Sequence, residues 1–291
     1  MTPGEPAWRL APAKVNLFLH VGPPGVDGYH PLVSLAVFAD VGDRVAVTRA
    51  AAFRLETVGP FAARIDGGPN LIETALDAMA SAAGLDRLPV HVRLDKCLPV
   101  AAGLGGGSSD AATAMKAARD VLGLDLDDAA LNRIAEPLGA DMAMCLAGRP
   151  VIARGRGEIL SPPPSLQDLH AVLLNPGVLS PTGAVYRAYD AAPHPAADAP
   201  DIPAAFTSSA ELADWLKITR NDLEAPAIRL NSLIGKALEA AALAPGALTA
   251  RVTGSGATVF ALFETAAAAR QAADALSEAH PGWWITPCRL G

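Results

Sequence analysis

Apolar and polar residues alternate along several segments of the chain, and a period of two predicts β-strands. The first such segment is residues 8–21, WRLAPAKVNLFLHV, which is followed by a turn-rich loop, GPPGVDGYHP. Two further strands are predicted at residues 32–47 and 90–94. Shorter segments of the same character are residues 150–152, residues 169–174, ALTARV, TVFALF and the closing WWITPCRL.

Between these strands lie segments whose apolar residues repeat with the helical period of about 3.6 residues. It predicts helices over residues 71–83, 108–122, 127–138 and 265–278, with two more ahead of ALTARV. Gly84, Gly123 and Gly139 follow the first three, as is usual where helices end. The mixture of helices and strands shows no internal repeat and predicts an α+β fold.

The length of 291 residues favours two packed domains or one domain with a large lobe. The strand at residues 169–174 and the loop NPGVLSPTG after it mark a seam. We therefore predict an N-terminal domain at residues 1–160 and a C-terminal domain at residues 161–291. Residues 190–203, DAAPHPAADAPDIP, have the composition of a mobile surface loop.

The formal net charge is −7, from 23 basic and 30 acidic side chains spread along the chain. Because the sequence shows no stripe of basic residues that could bind along a polyanion, we expect no nucleic-acid partner. Apolar runs are too short for a membrane span, so we expect a cytoplasmic protein without a membrane partner. The isolated Cys97, Cys145 and Cys288 predict reduced, mostly buried thiols rather than a zinc site.

A glycine-rich segment lies between the predicted strand at residues 90–94 and the helix at residues 108–122. Glycines lack Cβ atoms, so backbone N–H groups can converge on an anion, and the helix start adds partial positive charge. Ser108 and Ser109 can cap that helix or donate to phosphate oxygens. The residues expected to bind the phosphates of ATP are Pro99, Val100, Ala101, Ala102, Gly103, Leu104, Gly105, Gly106, Gly107, Ser108 and Ser109.

Three alternatives fit this segment less well. A Walker A loop needs a lysine after its last glycine, but Gly107 is followed by Ser108. A dinucleotide fingerprint needs a third glycine at position 108 and a regular βαβ repetition, and both are missing. A tight turn without function stays open, although four glycines and two serines within seven residues exceed what a turn needs.

Three motifs follow one another along the chain: PAKVNLFLHV, PVAAGLGGGSS and RVTGSGATVF. Their sequence, order and spacing resemble the three-motif signature of the GHMP kinases, and DGYH, LGAD, GRGE and NDLE extend the resemblance over residues 11–263. It implies an ATP-dependent kinase with two domains. The N-terminal α/β domain would carry the phosphate loop, the C-terminal domain would be ferredoxin-like α+β, and the active site would lie in the cleft between them.

The resemblance also implies that Lys14 and Asp141 are the catalytic pair. An alcohol loses its proton as it accepts a phosphoryl group, a carboxylate can accept that proton, and a nearby lysine stabilises the charge. Taken alone, Lys14 would be a surface lysine on an edge strand and Asp141 a turn residue after a helix. The family continues Asp-Val-Pro, whereas Met142 and Ala143 follow here, which leaves the local loop geometry open.

For the acceptor, the motif set implies a small molecule that carries a cytidine diphosphate group, phosphorylated on its 2-hydroxyl in the non-mevalonate isoprenoid precursor pathway. Tyr29 would stack on the cytosine, His30 would read its edge, and Tyr186 would close a ring sandwich. Thr182 and Asn16 would bind the substrate or hold the catalytic pair. The alternative is a Gly-Tyr-His loop that only packs on its own strand.

Mg²⁺ is expected with ATP, because the phosphate charges need neutralising. Asp110 is the one acidic residue in the part of the following helix near the loop, so we expect the ion to be held largely by phosphates and water. Lys96 would lie along the adenine or be a solvated charge, and Gly254 and Gly256 would shape a turn beneath the phosphate loop. We expect a monomer or homodimer.

Two rival functions are another GHMP kinase, which would act on mevalonate, homoserine or a sugar, and a nucleotide-binding regulator without turnover. The DGYH motif argues against the first. The joint presence of Lys14 and Asp141 argues against the second.

Overall fold

The computed structural model describes residues 7–26, 28–65, 68, 70–192 and 196–291. Asp27 of the DGYH motif and residues 193–195 of the predicted surface loop lie outside the described residues. The chain forms two compact units, each built from separate segments. The first contains residues 7–13, Val41–Val100 and Gly105–Gly148; the second contains Lys14–Asp40, Ala101–Leu104 and Arg149–Gly291. The domain boundary after residue 160 stays a prediction.

The described chain contains both strands and helices, often with several of one kind in succession. The strands are β1 (Arg9–Val21), β2 (Leu32–Arg49), β3 (Arg54–Val58), β4 (Val90–Asp95), β5 (Val151–Gly155), β6 (Ile159–Ser161), β7 (Leu169–Asn175), β8 (Ala247–Val252), β9 (Val259–Phe263) and β10 (Trp284–Leu290). The helices are α1 (Leu71–Ala82), α2 (Gly106–Leu122), α3 (Asp128–Ala135), α4 (Met142–Ala147), α5 (Thr182–Asp190), α6 (Ser209–Leu216), α7 (Glu224–Leu230), α8 (Ser232–Leu243) and α9 (Ala266–Ala279).

In the first unit, β4 pairs antiparallel with residues 44–49 of β2 and parallel with β3. Every second residue of β4 is buried, as its sequence pattern predicts. Helices α1 and α2 pack against each other. Because the buried face of α2 is mostly alanine, the two helices can approach closely.

In the second unit, β10, β7, β9 and β8 form an antiparallel sheet in that order. Along the chain, β7 is followed by helices, then β8, β9, α9 and β10. This βαββαβ connectivity is that of a ferredoxin-like fold. Every residue of β9 is buried, so the core of this unit lies at the middle of the sheet. The α+β prediction, with a ferredoxin-like C-terminal part, is confirmed.

Most element predictions agree with the structure within a few residues, and the exceptions have local causes. Helix α3 ends at Ala135, because Pro137 has no N–H group for an α-helical bond, and residues 136–138 form a 3-10 turn instead. The sequence did not predict α4, α5, β3 or β6, and it predicted two helices where α6, α7 and α8 precede β8. Helix α4 has six residues, α5 begins without a side-chain cap, and β3 alternates only between exposed and half-buried residues.

Among the described residues, Cys97, Cys145 and Cys288 form no disulfide, and the last two are buried, which agrees with the prediction of mostly buried thiols. Burial also raises the pKa of Cys288, so its thiol stays protonated. Among the residues that the structure describes, no helix is both long enough and apolar enough to cross a bilayer.

Three charged side chains form a buried cluster where α2 begins. Lys96 Nζ lies 2.5 Å from Asp43 Oδ2 and 2.7 Å from Asp110 Oδ2, and each of the three residues is at most 5% exposed. Asp43 Oδ1 also accepts the N–H groups of Cys97 and Leu98 at 2.6 and 2.8 Å. The cluster therefore ties the segment after β4 to the first turns of α2.

Burial opposes the charge on Lys96, but Asp110 and Asp43 together raise the pKa of its ammonium. Burial raises the pKa of Asp110, against the attraction of Lys96. The interpretation of Lys96 as a solvated charge is therefore wrong. A lysine on an exposed surface and a lysine between two buried carboxylates look the same in a single sequence.

We expect Lys96→Met to lower the free energy of unfolding by about 3–5 kcal/mol, because it leaves two carboxylates buried without their ammonium. Urea unfolding followed by circular dichroism measures the loss. Lys217→Met is the matched control, since Lys217 pairs with Asp214 on the surface and little stability should depend on it. Equal small losses in the two variants would show that the cluster does not hold α2.

Candidate active site

The second half of the glycine loop, residues 105–109, forms the start of α2 in the first unit. Gly105 precedes the helix with φ of 61°, a left-handed conformation that favours glycine, and no side chain caps the helix. The helix begins at Gly106, so Ser108 and Ser109 lie within its first turn and the predicted capping by these serines is wrong. The first N–H groups of a helix lack acceptors within it and can bind an anion.

The first half of the loop, Ala101–Leu104, lies in the second unit against the turn at residues 253–258. Thr258 N donates to Ala102 O at 3.1 Å. Gly103 has φ of 75°, and a Cβ atom there would lie 2.3 Å from Thr253 O. Only glycine allows this approach of two backbones.

The turn contains the glycines of the third motif. Gly254 and Gly256 both have positive φ, of 55° and 75°. Ser180 Oγ donates to Ser255 O at 2.6 Å, and Ser180 N donates to Ala101 O at 3.2 Å. The prediction that these glycines shape a turn is confirmed, and this turn packs on residues 101–104; that it closes a phosphate site stays a prediction.

Lys14 lies on β1 and is only 4% exposed, so the alternative of a surface lysine is wrong. Its backbone N–H donates to Leu104 O at 2.8 Å, and its Nζ donates to Asn16 Oδ1 at 2.7 Å. Asn16 is fixed in turn, since its Nδ2 donates to Ser34 Oγ at 2.7 Å and its N–H to Thr253 Oγ1 at 2.9 Å. The backbone of Lys14 thus lies beside the first half of the glycine loop, and Asn16 holds its ammonium.

Asp141 lies in the first unit and immediately precedes the short helix α4. Its side chain does not cap that helix, whereas its carbonyl oxygen accepts Cys145 N–H at 2.9 Å. The sequence placed Asp141 after a helix end and missed the helix that follows it. Because Lys14 belongs to the second unit, the pairing of the two side chains stays a prediction.

The structure brings His30 and Tyr186 together in the second unit, with ring centroids 4.8 Å apart. His30 Nδ1 lies 2.9 Å from Gly22 O, and since a carbonyl can only accept, Nδ1 carries the hydrogen. His30 Nε2 faces Asp190 Oδ1 at 3.4 Å. The ring therefore has a defined orientation, and α5, which carries Tyr186, positions its aromatic neighbour.

Tyr29 is 57% exposed, so the DGYH loop does not bury its ring on its own strand. The guanidinium of Arg156 lies 4.2 Å from the centre of that ring. Thr182 opens α5, and its Oγ1 is 3.0 Å from Ser255 Oγ in the turn of the third motif. Five further residues make hydrogen bonds to Asn16 or in the turn of the third motif, and the sequence did not single them out as site residues. They are Ser34, Ser180, Asn221, Thr253 and Ser255.

Within the described ranges, no group of three or more His, Cys, Asp or Glu residues could hold a metal ion. Asp110 Oδ1 is buried without a hydrogen-bond partner among the described residues, but Oδ2 is engaged by Lys96. The donor set suits an anion held by backbone amides better than a cation held by carboxylates.

We expect Gly103→Ala to lower kcat/KM for ATP by at least roughly tenfold, because the added Cβ drives the loop away from Thr253 O. Steady-state kinetics and thermal unfolding measure the effect. Gly282→Ala is the control, since a Cβ there meets nothing within 4 Å. Wild-type kinetics in Gly103→Ala would contradict the proposed importance of this close packing.

Two family profiles match the chain. The one described as GHMP kinases N terminal domain matches residues 70–149, and the one described as GHMP kinases C terminal matches residues 204–282. The first match contains the glycine loop and Asp141, and the second contains the turn of the third motif.

Similar proteins extend over nearly the full length. A 4-diphosphocytidyl-2-C-methyl-D-erythritol kinase of Caulobacter vibrioides strain NA1000 / CB15N is 53% identical over 97% of this chain and 98% of its own. One of the same name from Parvibaculum lavamentivorans is 43% identical over 98% of this chain and 99% of its own. A crystal structure of 4-(cytidine 5'-diphospho)-2C-methyl-D-erythritol kinase, 35% identical, aligns with a TM-score of 0.77 over 98% of this chain and 99% of that one. The chain thus belongs to the GHMP kinases and, among them, to the family of these relatives.

Proposed function

We propose that the protein transfers the γ-phosphoryl group of ATP to the 2-hydroxyl of 4-diphosphocytidyl-2-C-methyl-D-erythritol, in the non-mevalonate isoprenoid precursor pathway. The observation that carries the proposal is the 53% identity to a kinase of that name over nearly the whole of both chains. The burial and hydrogen bonding of Lys14 beside the glycine loop support it from the geometry.

In the proposed reaction, the carboxylate of Asp141 accepts the proton of the acceptor hydroxyl. The hydroxyl oxygen then forms a bond to the γ-phosphorus, and the bond from that phosphorus to the bridging oxygen of ADP breaks. Lys14 stabilises the carboxylate and the charge that develops on the transferred group. Its fixed hydrogen bond to Asn16 supports this role, since a preorganised ammonium needs no rearrangement during the reaction.

ATP is proposed to bind through its phosphates to the glycine loop. The uncapped start of α2 and the left-handed Gly105 support this role, because they leave N–H groups free of competing side chains. Mg²⁺ would neutralise the phosphate charge and would be held largely by phosphate oxygens and water. We keep the expectations of a cytoplasmic monomer or homodimer.

The cytosine of the acceptor is proposed to stack on Tyr29 and to meet His30 and Tyr186. The exposure of the Tyr29 ring supports this role, and so does the fixed orientation of the His30 ring, which lies against Tyr186. Stacking of one base on an aromatic ring contributes roughly 1–3 kcal/mol. Thr182 and Asn16 would hold the substrate or the reacting groups.

We expect the purified protein to release ADP from ATP with Mg²⁺ and 4-diphosphocytidyl-2-C-methyl-D-erythritol, but not with mevalonate, homoserine or galactose. Asp141→Asn should lower kcat by at least roughly 10²-fold, because it removes the proton acceptor. A coupled assay for ADP measures both. Asp127→Asn is the matched control, since Asp127 caps α3 and asparagine caps equally well.

ADP release with another of these acceptors, and not with the proposed one, would show that the proposed substrate is wrong. An unchanged rate in Asp141→Asn would remove Asp141 from the role of base. Binding of ATP without turnover on any acceptor would favour the regulator.

We expect Tyr29→Ala to raise KM for the cytidine substrate by at least roughly tenfold and to leave KM for ATP within about twofold, because the stacking surface is lost. Steady-state titrations of each substrate measure this split. Tyr29→Phe keeps the ring and should behave as the wild type. Equal effects of Tyr29→Ala on both constants would remove Tyr29 from the base pocket.

A further inference from the structure

The NDLE motif at residues 221–224 follows α6, ends at Glu224, the first residue of α7, and is anchored to β1. Leu19 N donates to Arg220 O at 2.9 Å, and Asp222 N donates to Leu19 O at 2.9 Å. The side chain of Asp222 also accepts Val21 N–H at 2.7 Å. The motif is therefore fixed in the second unit beside the strand that carries Lys14.

The side-chain amide of Asn221 makes three hydrogen bonds to backbone groups. Its Nδ2 donates to Val252 O and to Gly254 O, both at 2.8 Å, and its Oδ1 accepts Leu223 N–H at 3.0 Å. The residue is 7% exposed. One side chain thus holds the carbonyl groups on both sides of Thr253.

Glu224 of the same motif reinforces this hold. Its Oε2 accepts Val252 N–H at 2.8 Å, so the N–H and the carbonyl group of Val252 are held by two residues of one motif. NDLE therefore holds the start of the glycine turn in addition to the turn's own bonds, from Thr253 N to Thr258 O and from Gly256 N to Thr253 O.

The turn needs an external hold, because two of its residues are glycines. Gly254 and Gly256 both adopt positive φ, and glycine loses more conformational entropy than any other residue when it is ordered. Both N–H groups of the Asn221 amide donate to carbonyl groups at the start of this turn. Without them, the carbonyl groups of Val252 and Gly254 would lose these two bonds, and the turn would be freer to move.

The turn also positions the Asn16 backbone and the first half of the phosphate loop. Thr253 Oγ1 accepts Asn16 N–H, and Thr258 N donates to Ala102 O. Gly103 packs directly on Thr253 O, where even a Cβ atom would not fit. A displacement of the turn by about 1 Å would therefore move the first half of the phosphate loop, and such displacements can lower a rate about 10²-fold.

We propose that Asn221 is a positioning residue for phosphoryl transfer. By holding the carbonyl groups of Val252 and Gly254, it fixes the turn on which Ala101–Leu104 and the Asn16 backbone depend. The proposal rests on the proposed kinase function for its kinetic consequence only, since the hold itself is a property of the fold.

Asn221→Asp tests the proposal, because aspartate keeps the size of the side chain and an acceptor for Leu223 N–H. It replaces two N–H donors by a carboxylate that faces two carbonyl oxygens. We expect kcat/KM for ATP to fall at least roughly tenfold and KM for the cytidine substrate to change less than about threefold. Asn231→Ala is the matched control, since Asn231 caps α8 through Leu233 N and should change neither constant.

Hydrogen exchange of the free protein gives a second readout that needs no substrate. We expect Asn221→Asp to speed amide exchange at residues 101–104 and 253–258, and Asn231→Ala to leave both segments unchanged. If the wild type fails to phosphorylate the proposed acceptor, the proposed function is wrong while this measurement still decides the role of Asn221.

If Asn221→Asp does not fold, Asn221→Ala carries the same comparison, because it removes the donors without placing a carboxylate against the carbonyl groups. Wild-type kcat/KM for ATP, equal changes of KM for both substrates, or unchanged exchange in the two segments would each overturn the proposal.

Discussion

Close contact between two stretches of backbone is the constraint on which the second unit depends. Gly103 meets Thr253 O at a distance that excludes any side chain, and neighbouring N–H and carbonyl groups join the same two stretches. Such contacts tolerate little movement, since no flexible side chain lies between the partners. Gly103 of the second motif and the turn of the third motif are therefore one structural feature, although about 150 residues separate them.

The sequence predicted the parts of the fold and of the site that local chemistry encodes. The glycine loop, the helix after it and the turn at Gly254 each follow from glycine, serine and helix-start signals within a few residues. Long amphipathic helices such as α1 and α9 were predicted within one residue at each end. The role of Lys14 came from family resemblance, because an isolated lysine on a strand carries no local signal.

The features that the sequence did not predict depend on residues that are distant along the chain. The cluster around Lys96 joins Asp43 and Asp110, which lie 53 and 14 residues away. Asn221 reaches carbonyl groups 31 and 33 residues away, so NDLE could be recognised as a motif but not explained. Helices α4 and α5 were missed because six and nine residues give too few turns for a period to emerge.

The depth of the Lys96 cluster decides how the start of α2 responds to dissolved salt. Mobile ions weaken attraction between charges that they can surround, as at Arg9 and Asp120 on the surface, where both side chains are more than 40% exposed. They cannot enter between Lys96, Asp43 and Asp110. The anchoring of α2 should accordingly be the same at low and at high salt concentration, while surface ion pairs such as Arg9 and Asp120 weaken as salt is added.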